Sequence, residues 1–394
     1  MSDTAHTVDD MRILHTGDWH IGRTFHGHAT LDALRGVLEA LTAQVREHDV
    51  DVVIVAGDVF DSAAPAPACY TLLTDTLGAL RQTGAHVIVT SGNHDSAARL
   101  GFQAKLLRDG IHVLTDARAV GEAIEIADAD GPVRFYGIPY LEPAIVRSVW
   151  PGAELRTQAQ TMTHAMGLVR ADLASRAGRS VAIAHCFAAG VEATPGVERE
   201  IRQGTLDVVP LSVFDGPDYV ALGHIHGRQQ LSERARYAGA PLHYSFGEQS
   251  KPRGSWLVTL DAAGLAGAEW LELPVPRPLK TLHDTFDALL TDPVYAEYET
   301  AWVAAEYTDA TPRLEPMRAL QKRFPFCAMV AHTPPARVSD GHTSYAERVS
   351  RARSDADLVE AFLEHVREGE GATDAERALI REIIDERVVA EASA

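Results

Sequence analysis

Five short apolar runs each stop at a cluster of Asp, Asn or His, and that repeated junction constrains the fold more than any other feature. Residues 11–15 (MRILH) lead into Gly17-Asp18-Trp19-His20, and 51–55 (DVVIV) into Gly57-Asp58-Val59-Phe60-Asp61. Residues 86–90 (HVIVT) lead into Gly92-Asn93-His94-Asp95. Residues 181–185 (VAIAH) end on His185 itself, and 219–222 (YVAL) meet Gly223-His224-Ile225-His226. Short runs rich in Val and Ile, bounded by Gly and Asp, read as buried strands. In open α/β sheets, ligands collect beyond the carboxyl ends of the strands. Five such ends delivering carboxylate, amide and imidazole groups predict one shared site.

The intervening sequence fits that layout. Residues 30–48, 65–83 and 157–177 have helical spacing, with Leu31, Leu34, Leu38 and Leu41 on one apolar face. Residues 134–138 (RFYGI) and 255–260 (SWLVTL) read as further strands, the later ones closing a second sheet. Alternation of strand and helix predicts an α/β layered fold. The Pro-rich stretch 273–279 (LPVPRPL) reads as a linker. Beyond it the pattern restarts, with strands at 302–307 and 327–332, a helix near 313–323 and a loop over 333–353. Two closing helices, near 355–368 and 373–389, are broken at 369–371 (GEG). The expected division is a disordered tail over 1–10, a first domain over 11–270, a small α+β domain over 271–353 and terminal helices over 354–394.

Composition removes several function classes. The first ten residues are polar and acidic with no apolar stretch, so no signal peptide is expected there. No apolar run approaches the length needed to span a bilayer. The cysteines, Cys69, Cys186 and Cys327, are odd in number and far apart, which suits a reduced cytoplasmic protein rather than a disulfide framework. Net charge is −19, from 55 acids against 36 bases. A stand-alone DNA binder carries a basic footprint, and this chain lacks one in bulk. Nucleic-acid affinity would have to come from a local patch, from bound cations or from a partner.

Taken singly, each polar junction has an ordinary explanation. Gly-Asp after a strand is common in turns, and a lone histidine such as His185 is more often a hydrogen-bonded core residue than a ligand. Coincidence at five strand ends is a different matter, and the joint pattern points to metal. Imidazole, carboxylate and amide oxygen without a thiolate cluster suit Mn, Fe or Zn. The groups suffice for two ions sharing one carboxylate. Two ions about 3.5–4 Å apart activate a water and clamp both oxygens of an in-line displacement, which is machinery for phosphate-ester hydrolysis.

The junctions Asp18-x-His20, Gly57-Asp58-x-x-Asp61, Gly92-Asn93-His94-Asp95, His185 and Gly223-His224-x-His226 resemble the five-motif signature of calcineurin-like metallophosphoesterases. Within them, the chain is similar to the SbcD family of nuclease subunits, through 15–26 (HTGDWHIGRTFH), 90–102 (TSGNHDSAARLGF), 244–248 (YSFGE), 344–348 (SYAER) and 362–367 (FLEHVR). The resemblance implies a four-layer α/β sandwich, two central sheets flanked by helices, with a small α+β capping domain. It implies one ion held by Asp18, His20, Asp58 and His226 and another by Asp58, Asn93, His185 and His224. His94 would be the catalytic imidazole outside the ligand set, with Asp95 orienting it. Asp61 stands where some relatives have His. The ions would be Mn2+, with Fe, Mg or Zn as alternatives. The implied activity is exonuclease and endonuclease cleavage of double-stranded DNA ends and hairpins, in repair, recombination and replication. The implied partner is the SbcC ATPase, in a heterotetramer built on a homodimer and associated with the nucleoid, with no membrane.

Other candidates carry less. Arg23, His26, Arg99 and Lys251 are candidate DNA contacts, with Trp19 and Phe25 as stacking platforms and Arg253 as a phosphate binder. Each reads equally as packing or solvated surface. Cys186 reads as a small buried residue, and His15, His28 and His243 as structural or surface residues. The closing helices offer an apolar stripe (Leu358, Ala361, Phe362, Val366, then Leu379, Ile380, Ile383, Ile384) either to a partner's coiled coil or to their own domain. The motifs leave open a phosphodiesterase for cyclic nucleotides or other small esters. A non-catalytic scaffold of the same fold is disfavoured by His94 and the full ligand set.

Overall fold

A computed structural model describes residues 10–107, 110–176, 178–189, 208–335, 349–367 and 371–392, the last eight of them by backbone alone. It divides into two units, Met1–Thr333 and Pro334–Ala394, which are described separately. The expected tail lies almost wholly outside the described residues, as does most of the loop expected over 333–353, including 344–348.

The main strands are β1 (Met11–Thr16), β2 (Val52–Ala56), β3 (His86–Thr90), β4 (Ile111–Leu114), β5 (Ile124–Asp128), β6 (Gly131–Gly137), β7 (Arg179–His185) and β8 (Tyr219–Gly223). They continue as β9 (Gln229–Gln230), β10 (Ala235–Tyr237), β11 (Gly254–Asp261), β12 (Gly264–Glu272), β13 (Leu279–Asp284), β14 (Trp302–Tyr307) and β15 (Cys327–His332). One six-stranded sheet has the order β12-β11-β1-β2-β3-β4, and a second has β9-β10-β8-β7-β6-β5. Strands β1 to β4 are mutually parallel, as are β6, β7, β8 and β10. Antiparallel strands complete the edges.

Strand alternation builds the layers, because successive side chains point to opposite faces. In the first sheet Ile13, Val52, Ile54 and Ile88 face a core shared with Val133, Phe135, Val181, Ile183 and Ala221 of the second. Their neighbours Leu14, Val53, Val55, Val87 and Val89 face the other way, onto Leu34, Leu38 and Leu41 of helix Leu31–Glu47 and Leu72 of helix Pro67–Arg81. In the second sheet Ala182, Ala184, Val220 and Leu222 face Met162, Ala165 and Val169 of helix Gln158–Ser175. Helix, sheet, sheet and helix therefore stack in the expected four layers. His15 crosses the central interface, its ring nitrogens 2.9 Å from Tyr219 Oη and 3.2 Å from Leu222 O.

The stretch 273–279 is not simply a linker, since Leu279 opens β13 once Pro278 is passed. Strands β13, β14 and β15 form a parallel sheet. Its core includes Leu282, Phe286, Leu289, Val303, Ala305, Leu320 and Phe324. The helix expected over 313–323 is shorter, Pro316–Leu320, because Pro316 can sit only in a first turn. The sheet packs on the first domain where Leu279 and Ala304 meet Phe25 and Phe246.

The second unit contains helices Asp355–Val366 and Asp374–Ala392. Ion pairs Arg367–Glu376 and Arg377–Glu360 join them. Leu358, Phe362, Val366, Leu379 and Ile383 of the expected stripe are exposed within it, while Ala361 is buried.

Candidate metal centre

The loops leaving β1 and β2 run side by side. Asp18 N–H donates to Gly57 O at 3.0 Å, His20 N–H to Asp58 O at 2.9 Å and Ile21 N–H to Val59 O at 2.9 Å. Within this backbone Asp18, His20 and Asp58 adopt left-handed conformations (φ 52°, 45° and 45°), and so does His224 at φ 108°. Such residues cost about 1–3 kcal/mol each and persist where surrounding structure dictates them, typically at functional sites. Here the strain turns four polar side chains to one edge of the paired sheets.

All seven expected ligands meet there. Asp18, His20 and His226 bring ligand atoms within 4.8 Å of one another, as do Asp58, His185 and His224. Asn93 Oδ1 lies 3.1 Å from His185 Nε2 and 3.0 Å from His224 Nδ1. Asp58 stands between the groups, with Oδ2 3.4 Å from His185 Nε2 and 3.6 Å from His20 Nε2. Its Oδ1 accepts the His94 N–H at 2.9 Å.

These residues fit divalent cations. His20 Nε2 and His226 Nε2 face one another at 3.0 Å. Two nitrogens bound about 2.1 Å from one ion stand roughly 3.0–3.4 Å apart. Asp18 Oδ2 is buried without a hydrogen-bond partner among the described residues, which is costly unless a cation compensates. Protonation points the same way. Burial, opposed by the charges of His185 and His226, pushes Asp18 up to about 7. Burial brings His20 down to about 4 and, with the charge of His185, His224 down to about 3. Burial also acts on His185, but the Asp58 carboxylate outweighs it and lifts the imidazole to about 9. Asp58 is correspondingly held well below the usual carboxylate range against its own burial. Metal ligation needs neutral imidazoles and ionised carboxylates, so cation binding at these groups would release protons.

Surrounding carboxylates aim two of the imidazoles. Asp61 Oδ1 lies 3.4 Å from His20 Nδ1, and Glu248 Oε1 lies 3.4 Å from His226 Nδ1. Asp61, whose role is open in the sequence, and Glu248, to which no motif assigns a role, thus both stand behind imidazoles of the cluster. A single Glu in a loop carries no local signal that it is buried beside a ligand.

His94 is half-buried, and its Nδ1 lies 2.8 Å from the Asp61 carbonyl oxygen. That contact replaces the orientation expected from Asp95. The Asp95 carboxylate accepts instead from the backbone N–H groups of Val59, Phe60 and Gly92 at 3.0, 2.9 and 2.9 Å. Asp95 ties the second and third ligand loops together.

Candidate DNA contacts are scattered around this centre. Arg23 stacks on Tyr244 and lies 3.6 Å from Asp61. His26 is exposed, and Arg99 donates to Ala63 O at 2.6 Å. Lys251 is half-buried. Trp19 and Phe25 are fully buried, so neither can stack on a base. Arg253 is buried too, donating to the carbonyls of His226 and Ala240 as a strut behind the last ligand loop. His243 is held on Lys251 O, and His28 packs at a tilt against Trp302. Cys186 is buried, which pushes its thiol up to about 12 and away from nucleophilic use. Among the described residues, no helix is long and apolar enough to cross a membrane.

Comparison with known families places these features in context. Residues 11–228 match the calcineurin-like phosphoesterase family. Residues 275–367 match the SbcD_C family, described as a type 5 capsule protein repressor C-terminal domain. Similar solved structures include TT1561 of Thermus thermophilus, 11% identical, covering 67% of this chain and 99% of that one with a TM-score of 0.39. A dimetal phosphatase from Danio rerio is 14% identical, with coverage of 67% and 99% and a TM-score of 0.39. GAP50, the anchor in the inner membrane complex of Plasmodium, is 10% identical, with coverage of 85% and 100% and a TM-score of 0.41. The first family spans more than half of the chain and every motif from which the metal cluster is built, so the protein belongs to the calcineurin-like phosphoesterases, metal-dependent hydrolases of phosphate esters.

Proposed function

We propose that the ester is a phosphodiester of DNA and that the chain is an SbcD-type nuclease subunit, cutting double-strand ends and hairpins. The observation that carries this reading is the C-terminal region. Its SbcD_C-type sequence begins at residue 275, and its sheet packs against the Phe25 segment just beyond the first metal-ligand motif. Gln249 Oε1 accepts from Thr281 N–H at 3.0 Å across the same junction. A second domain fixed beside the site suits a polymeric substrate better than a small ester.

Two divalent cations, Mn2+ in our reading, supply Lewis acidity and an activated water when bound. Asp18, His20, Asp58 and His226 would hold one, and Asp58, Asn93, His185 and His224 the other. His94 lies outside this set. With Nδ1–H donated to the Asp61 carbonyl, its Nε2 is the nitrogen that can carry a proton to the leaving oxygen. Arg23, His26, Arg99 and Lys251 would contact the DNA backbone. The charge of −19 means that these contacts alone hold DNA weakly. We therefore assign much of the grip to a partner, the SbcC ATPase, within a complex built on a homodimer. The exposed apolar residues of the closing helices suit a coiled-coil partner.

The test is Mn2+-dependent hydrolysis of a DNA hairpin and of a cyclic nucleotide, with and without the ATPase and ATP. Hairpin cleavage stimulated by the partner is expected. Turnover of the cyclic nucleotide alone would replace this reading with a small-ester phosphodiesterase, and no turnover of either would point to a scaffold.

A further inference from the structure

The two halves of the metal cluster are backed differently. On the first half, both imidazoles face a carboxylate through Nδ1: His20 faces Asp61 and His226 faces Glu248, each at 3.4 Å. On the second half, His185 Nδ1 lies 3.0 Å from the neutral Ala56 carbonyl, with the Asp18 carboxylate farther off at 3.9 Å, and His224 Nδ1 lies 3.0 Å from the amide oxygen of Asn93, itself a ligand in this reading. A carboxylate behind a metal-ligating histidine fixes the tautomer and raises the basicity of the other nitrogen.

Glu248 is built for this task. It has no solvent exposure. Its Oε2 accepts the Tyr244 N–H at 2.7 Å and lies 3.9 Å from Arg253 Nη1. Arg253 in turn donates to His226 O at 2.9 Å, so the backbone and side chain of His226 are braced by adjacent members of one buried set. Tyr244 Oη donates to Trp19 O at 2.8 Å, next to His20. One buried assembly thus reaches both the first and the last ligand loops. The tautomer that these carboxylates favour carries the proton on Nδ1 and would leave the two Nε2 lone pairs facing one another across 3.0 Å.

We infer that Glu248, together with Asp61, is a positioning residue for one cation only, the ion at Asp18, His20 and His226. This makes that ion the tightly held one and leaves the ion at His185 and His224 exchangeable. The inference rests on the two-cation reading of the site, and its readout does not depend on cleavage of any substrate.

The experiment uses the full chain stripped of metal and titrated with Mn2+ by calorimetry. Electron paramagnetic resonance at matched concentrations reports whether the bound ions are coupled. The wild type should bind two ions in a tight and a weaker step, with a coupled pair at saturation. Glu248→Gln keeps shape and removes the charge. It should weaken the tight step about 10–100-fold, leave the weaker step unchanged and, at concentrations that pair the ions in the wild type, give an isolated Mn2+ signal. Asp61→Asn changes a side chain about a third exposed, so it tests the same claim should the buried variant not fold, and it should weaken the same step. Unchanged affinities in the variants, or equal loss from both steps, would overturn the inference. A wild type that binds fewer than two ions would remove the two-cation reading itself, and the inference with it.

Discussion

His20 Nε2 and His226 Nε2 stand 3.0 Å apart, close enough to share one proton or one cation, inside a buried cluster that also contains Asp18. Without a cation or a proton between them, the arrangement is repulsive. Metal should therefore act as a folding ligand. A ligand at one hundred times its Kd contributes about 2.7 kcal/mol per site. Saturating Mn2+ should raise Tm by several degrees over the chelated protein, as read by calorimetry. Identical melting in Mn2+ and in chelator would count against a cation site.

His94 and Asp95 are adjacent, and substitutions should separate their roles. His94 lies outside the ligand set proposed above; its ring makes a 2.8 Å hydrogen bond to the Asp61 carbonyl and packs edge-on against His20. His94→Ala should bind two Mn2+ ions with Tm near that of the wild type and lose cleavage by about 100-fold or more. Asp95→Ala strips acceptors from three buried N–H groups, each worth about 1–3 kcal/mol when left unsatisfied. It should lower Tm and metal affinity together. Wild-type-like turnover in the first variant, or wild-type-like stability in the second, would reverse the assignment.

The contrast between these neighbours shows what was legible in the sequence. Strand-end polarity marked the edge where these groups gather because alternation and burial leave few other uses for Asp and His there. Strands β1, β2, β3, β7 and β8 were readable as apolar runs, since they are buried on both faces. β12 escaped because it is a sheet edge whose side chains are only partly buried and whose sequence includes Gly264 and Gly267. β13 was hidden behind Pro274, Pro276 and Pro278. The place of Glu248 could not be read at all, and Arg253 reads in sequence as a phosphate binder although the fold buries it. Their roles depend on contacts made to residues far away in the chain, and a buried charge in a loop looks like a solvated one until the fold encloses it.

His15 supplies a pH dependence separate from the metal ligands. Burial, reinforced by the charge of Arg236, pushes it down from 6.5 to about 3 in the fold. Between those values the unfolded chain takes up a proton that the folded chain refuses, so stability falls as pH drops. Above 6.5 the contribution is complete, and about 2 kcal/mol of it is gone by pH 5. Denaturant midpoints measured from pH 8 to pH 5 in chelator should show this slope. His15→Gln keeps a polar group near Tyr219 Oη and should flatten the slope by that amount. A variant with the wild-type slope would show that His15 does not contribute.

Glycine at position 92 is required by the close approach of Asp58. A Cβ there would stand 2.1 Å from Asp58 Oδ1 and 2.3 Å from Asp58 N, closer than atoms pack without displacement. The backbone nitrogen cannot swing aside as a flexible side chain would, so Gly92→Ala must move the ligand loop itself. Overpacking of this kind costs about 1–3 kcal/mol. Asp58 is the carboxylate shared between the two halves of the cluster, so its displacement should affect both ions. Gly92→Ala is expected to lose affinity for both Mn2+ ions while still unfolding cooperatively in chelator. Gly36, in helix Leu31–Glu47, has nothing within 4 Å of an added Cβ. Alanine there should leave metal binding untouched and stabilise the fold by about 0.5–1 kcal/mol. If Gly92→Ala bound two ions as tightly as Gly36→Ala, Asp58 would not be the bridge.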